Sequence, residues 1–183
     1  CHAVVALGGE ETILGVDSNG LVCVDELDAA LKFTPAIVSV MWVNNEVGVV
    51  QPMVEIGARC RAAGVPLHSD AVQAFGKIPI DVDATNCTLL SISGHKIGAP
   101  KGIGALFIRR GTKLEPLMHG GSQDRGRRPG TENVAYAVGL ATAAEMTLAE
   151  HDVESDRLGA LRDRLEAVIM ARIPDAVINA RGA

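Results

Sequence analysis

The stretch Ser91-Ile92-Ser93-Gly94-His95-Lys96 closes the apolar run Cys87-Thr88-Leu89-Leu90 and opens the Gly/Pro-rich run Ile97-Gly98-Ala99-Pro100-Lys101-Gly102. Leu89, Leu90 and Ile92 read as a buried strand, and the small residues after them mark a turn where backbone can approach a ligand closely. At such a strand end Ser93 and His95 suit an anion, while Lys96 offers an amine. A lysine there forms a Schiff base with a carbonyl if its surroundings leave it nucleophilic. Alone, it would read as a surface lysine after a strand.

Asp70 changes that reading. Val65-Pro66-Leu67-His68-Ser69-Asp70-Ala71-Val72-Gln73 is a second short strand, ending in an acid and an amide. In open α/β sheets ligands sit beyond the carboxyl ends of the strands, so Asp70 and Lys96 are expected to face one crevice. Pyridoxal 5'-phosphate uses such a pair. Its aldehyde takes a lysine, its ring nitrogen stays protonated against a carboxylate, and its phosphate needs hydrogen-bond donors. The alternative for Asp70 is a cap on the following helix.

Four segments, in order, then resemble cysteine desulfurases: Val43-Asn44-Asn45-Glu46-Val47-Gly48, His68 to Gln73, Ser91 to Lys96, and Arg127-Arg128-Pro129-Gly130-Thr131-Glu132-Asn133. The resemblance runs over nearly the whole chain. It points to the group that supplies sulfur for iron–sulfur and nitrogenase cofactor assembly, within the class V aminotransferases of fold-type I. It implies an α/β fold with a mainly parallel sheet and helices on both faces. Residues 1–131 are expected to form part of the cofactor-binding large domain, and residues 132–183 to be helices leading toward an incomplete small domain. Because relatives are longer at both ends, the chain is expected to be a middle piece.

The resemblance also implies roles. Lys96 would anchor the cofactor and move protons at the substrate α-carbon, and Asp70 would keep the ring nitrogen charged. Gln73 and Asn45 are implied near the phenolic oxygen and the substrate, with turn or cap chemistry as their alternative. Ser93 and His95 would donate to the phosphate, helped by backbone N–H groups near Gly94. Thr131 resembles the threonine that reaches across a two-fold dimer to the other subunit's phosphate, implying a homodimer. Arg125, Arg127 and Arg128 would order that loop, bind anions or form a solvated basic face. Glu46 lies in a loop facing the site, and His68 reads equally well as a satisfied core histidine.

Composition narrows the rest. The chain has 183 residues, 48% hydrophobic and 21% charged, with a formal net charge of -5. That describes a globular domain with a sizeable core and no generalised basic surface for nucleic acid. No run of about 18 apolar residues suggests a membrane span. No metal is expected, since Cys1, Cys23, Cys60 and Cys87 are widely spaced without a C-x-x-C pair. They read as ordinary reduced thiols, and the cytoplasm is the default compartment.

Along the chain, a strand is expected at Glu11–Val16, a turn at Asp17-Ser18-Asn19-Gly20 and a helix at Val24–Leu31. Ala36–Val43 reads as a central strand covered on both faces. Pro52 opens a helix that runs through Arg61 and stops before Gly64. Strands at Leu67, Leu89–Ile92 and Ala105–Ile108 complete the repeating α/β pattern, with strand order and the direction of the last strand left open. Gly111–Gly130 is a long loop. Helices are expected at Glu132–Glu150 and Val153–Arg172, the second burying Leu158, Leu161, Leu165 and Ile169. Ala176–Asn179 reads as the start of another strand.

The implied activity is removal of sulfur from L-cysteine, giving L-alanine and an enzyme-bound persulfide for an iron–sulfur scaffold or other sulfur acceptor protein. One alternative is a selenocysteine lyase or another class V β-eliminating enzyme. A second is a catalytically inactive scaffold or dimerisation module. No cysteine here matches the family's nucleophile, whose loop is expected beyond the equivalent of Ala183. The family's ring-stacking histidine is expected before the equivalent of Cys1.

Overall fold

A computed structural model describes residues 2–181. Cys1, expected to be an ordinary reduced thiol, lies outside them. Three apolar runs form the parallel strands β1 (Val38–Met41), β2 (Leu67–Asp70) and β3 (Leu89–Ser93), and β4 (Gly104–Ile108) returns antiparallel beside β3. The sheet order is β1-β2-β3-β4. This is the expected α/β fold with a mostly parallel sheet and helices.

Side chains on a strand alternate between faces, and here the alternation separates apolar from polar. Val38, Val40, Leu67 and Leu90 join the core with Leu27 and Leu31 of α2 (Val24–Leu31) and with Met53, Ile56 and Cys60 of α3 (Met53–Ala62). The polar member of that face is Ser69, fully buried, whose hydroxyl donates to the Val40 carbonyl at 3.1 Å. Ser39, Met41, His68 and Asp70 project the other way. β1 is therefore shorter than expected and buried on alternate residues, rather than covered on both faces.

Charge placement supports the two short helices. Asp25 and Glu26 lie in the first turn of α2, and α3 has Glu55 in its first turn with Arg59 and Arg61 in its last, each matching the helix dipole. Arg59 joins the helices by bonding Asp28 and Glu55, both at 2.7 Å. Gly64, at φ +69°, supplies the left-handed turn after α3.

Elsewhere the structure corrects the expectations. Glu11–Val16 is not a strand: only Val16 bridges, to Val22, around the Asp17–Gly20 turn. Ile13 is exposed, and a strand without a paired neighbour has nothing to hold it. The buried Gln51 secures this hairpin, accepting from Val22 N at 2.9 Å and donating to Gly20 O at 2.8 Å. A five-residue helix, α1 (His2–Ala6), was not expected. The long loop holds a four-residue helical turn, α4 (Gln123–Gly126).

The two expected C-terminal helices are one, α5 (Val134–Arg172), of 39 residues. Glu150-His151-Asp152-Val153 contains no proline or glycine to end it. Leu158, Leu161 and Leu165 are 52%, 51% and 62% exposed, so this half of the helix does not enter the core. Ala176–Asn179 is turn and coil, with Val177 exposed.

A tight contact fixes α3 against the chain between β2 and β3. A Cβ at Gly57 would lie 1.8 Å from the Thr85 carbonyl oxygen. Alanine is a better helix former by about 1 kcal/mol, but a clash with backbone costs more. Gly57→Ala is expected to destabilise the chain by about 2 kcal/mol, read as a lowered urea midpoint; an unchanged midpoint would show that this contact yields.

Candidate functional site

Because β1, β2 and β3 are parallel, their carboxyl ends open on one rim. The Asn44-Asn45 turn follows β1, Asp70 ends β2, and Ser93 ends β3 before a 3-10 turn, Gly94–Ile97, that carries His95 and Lys96. Asp70 is the register partner of Ser91, and Ser93 lies two residues further along. All three therefore point to the same face of the sheet.

The turn bearing Lys96 is tightly built. Gly94 N donates to Ile103 O at 2.9 Å, Ala99 N donates to Gly94 O at 3.0 Å, and Gly98 closes the turn at φ +85°. A Cβ at Gly94 would meet Ile103 Cγ2 at 2.8 Å, so the chain requires glycine there. Lys96 itself is exposed, and among the described residues it forms no salt bridge.

Ser93 Oγ and His95 Nδ1 are 2.7 Å apart. If the serine donates, His95 Nε2 carries the free N–H; if the ring donates, the serine keeps a free O–H. In either tautomer the pair offers a donor to an anion.

Asp70 divides its two oxygens. Oδ1 accepts from Val72 N at 2.9 Å, closing a turn rather than capping a helix, since no helix follows β2, and among the described residues Oδ2 has no hydrogen-bond partner. Gln73 Oε1 accepts from Lys77 Nζ at 2.8 Å, which leaves the Gln73 amide N–H groups as donors. Lys77 lies below the usual lysine range, first because of burial and then because of the nearby Lys96 charge. The turn carrying Gln73 is thus close to the turn carrying Lys96.

Helix α5 joins both turns. A Cβ at Gly76, itself at φ +77°, would meet Thr147 Cγ2 at 2.7 Å and Ile97 Cγ2 at 2.9 Å. A Cβ at Gly139 would stand 3.0 Å from Pro100 Cδ. His151 Nε2 lies 3.1 Å from the Lys77 carbonyl. Beside this junction, Lys77, His151, Glu154 and Arg162 help line a cavity of about 550 Å³.

Asn45 is exposed at the rim, in a turn held by Asn44 Oδ1, which accepts from Glu46 N and Val47 N at 2.9 and 3.0 Å. Glu46 is exposed in the same turn. Thr131 shares no strand or turn with these groups and is exposed in the segment before α5. Arg125 nearby holds a left-handed φ of +61°. Sequence reasoning left out His68, whose ring bonds serines on both neighbouring strands. Its position two residues before Asp70, hence on the same face, was the available signal. Among the described residues no group of three or more metal-ligating side chains occurs, and no helix is long and apolar enough to cross a membrane.

The model of the family described as Aminotransferase class-V matches residues 3–178. A cysteine desulfurase of Nostoc sp. is 48% identical over 179 residues, covering 98% of this chain and 45% of the relative. The chain thus spans about half the length of the curated relatives it matches. Among solved structures, a NifS-like protein from Rickettsia africae superposes with a TM-score of 0.93 at 29% identity, over 100% of this chain and 51% of that one. SspA in complex with cysteine gives a TM-score of 0.76 at 40% identity, over 79% and 42%. With three of the four motif segments standing at the strand ends and the match running almost from end to end, the chain belongs to the class-V aminotransferases and is similar to their cysteine desulfurases.

Proposed function

We propose that this chain supplies the cofactor-anchoring part of a pyridoxal 5'-phosphate enzyme that removes sulfur from L-cysteine. The observation that carries this reading is the rim itself: a carboxylate with one free oxygen and a lysine without an ion pair follow adjacent parallel strands. The donor set fits the group. Lys96 Nζ would hold its aldehyde, Asp70 Oδ2 would accept from its ring N–H, and Ser93 with His95 would donate to its phosphate. Gln73 and Asn45 offer uncharged amide donors for the phenolic oxygen and the substrate. When bound, the cofactor supplies an electron sink for the substrate α-carbon. Lys96 Nζ would also be the base for the proton of that carbon.

Residues 1–131 serve in this reading as part of the cofactor-binding domain, and residues 132–183 lead toward a second unit. Thr131 serves a neighbouring subunit in a homodimer. The substrate assignment draws support from the desulfurase relative and from the cysteine-bound neighbour. A cytoplasmic setting and an iron–sulfur scaffold or other sulfur acceptor protein complete the proposal.

The two buried thiols, Cys60 and Cys87, favour a second reading, in which the chain alone binds cofactor without turnover. Burial pushes the Cys60 thiol up to about 11, and the nearby Cys87 adds to the effect. Cys87 is also raised, chiefly by burial. Both remain protonated at neutral pH and lack the thiolate that attacks sulfur. Iodoacetamide at pH 7.5, followed by peptide mass analysis, is expected to leave Cys60 and Cys87 unmodified until the chain is unfolded. Rapid native labelling of either would restore it as a candidate nucleophile.

The anchor is tested by trapping. Borohydride should fix pyridoxal 5'-phosphate to the peptide containing Lys96, and Lys96→Ala should abolish the adduct while changing stability by about 0.5 kcal/mol or less, because the side chain is exposed. An adduct at full yield in Lys96→Ala would move the anchor to another amine.

A further inference from the structure

His68 is hydrogen-bonded at both ring nitrogens: Nδ1 lies 2.8 Å from Ser39 Oγ of β1, and Nε2 lies 2.8 Å from Ser91 Oγ of β3. One side chain therefore spans all three parallel strands on the face that carries Asp70. A neutral imidazole has one donor and one acceptor, so one serine gives a proton to the ring and the other receives one. Burial holds the ring below the usual histidine value, with the Asp70 carboxylate acting in the opposite direction.

We propose that His68 is a positioning residue for Asp70: by tying Ser39 and Ser91 across β2, it fixes where the Asp70 carboxylate stands relative to the turn bearing Lys96. This rests on the cofactor-site reading given above. Two observations make the tie consequential. First, β2 and β3 pair over only three residue pairs, His68 with Leu89, Ser69 with Leu90 and Asp70 with Ser91. A slip of one residue would turn Asp70 to the opposite face.

Second, the two faces are held differently. The α2/α3 side has an apolar core, whereas the Asp70 side leaves Ser39, Met41 and Leu106 exposed. His68 reaches Ser91, the residue directly opposite Asp70, and not its own register partner Leu89. The tie thus acts at the level of the carboxylate.

The discriminating probe is pyridoxal 5'-phosphate beside its 1-deaza analogue, which keeps aldehyde and phosphate but lacks the ring nitrogen that Asp70 would serve. Binding of each to the 183-residue chain, to His68→Leu and to Ser91→Ala is measured by equilibrium dialysis. Both substitutions are expected to weaken the natural cofactor about tenfold, the order set by one hydrogen bond to a charged group, and the analogue less than about twofold. Ser91→Ala removes one partner with little change of volume, so it decides the matter if His68→Leu does not fold. Equal weakening of both compounds, or of neither, would overturn the positioning role while leaving the cofactor site standing. If the parent chain binds neither compound, the cofactor reading falls, and the role of His68 falls with it.

Discussion

The site depends on the parallel backbone pairing of three short strands. That ladder puts the ends of β1, β2 and β3 on one rim, where Asn45, Asp70, Ser93, His95 and Lys96 are gathered. Parallel pairing requires a crossover after each strand, and each crossover here returns over the apolar face. Ile56 and Leu67, both fully buried, hold α3 on that face. Thr85, from the crossover between β2 and β3, closes against Gly57. Hydrophobic packing on one side thereby sets the register of polar groups on the other.

Much of this was legible in the sequence, because the signals were local. Leu89-Leu90-Ser91-Ile92 could hardly be anything but a covered strand, and Gly94 and Gly98 marked the turn that Lys96 rides on. Pro52 and Gly64 bracketed α3 to within a residue or so. What failed were readings that depended on neighbours. Glu11–Val16 has strand-like residues and no strand beside it. Leu158, Leu161 and Leu165 have the spacing of a buried face, yet spacing cannot say whether anything lies against that face.

The site was less legible than the fold. The motifs gave Asp70, Gln73, Ser93, His95 and Lys96, but hydrogen bonding decides how each is used. Asp70 was weighed as a helix cap, but the segment after it is a turn, which it closes with one oxygen while the other has no partner among the described residues. Lys77 orients Gln73 through a contact no motif announced. His68 read equally well as a satisfied core histidine, because a single histidine carries no sign of the partners it will find. Ser39 and Ser91 lie 29 and 23 positions away from it.

Helix α5 has a mechanical consequence. At 1.5 Å per residue its 39 residues make a rod about 58 Å long, and its contacts with Gly76 and Pro100, through Thr147 and Gly139, lie in its first half. The far half extends past those contacts as a stiff lever. A load applied near Leu165 is delivered as a torque where Gly139 meets Pro100 and Thr147 meets Gly76, beside the two turns that bear Lys96 and Gln73. Whatever grips the far end of the rod also holds the handle of the site.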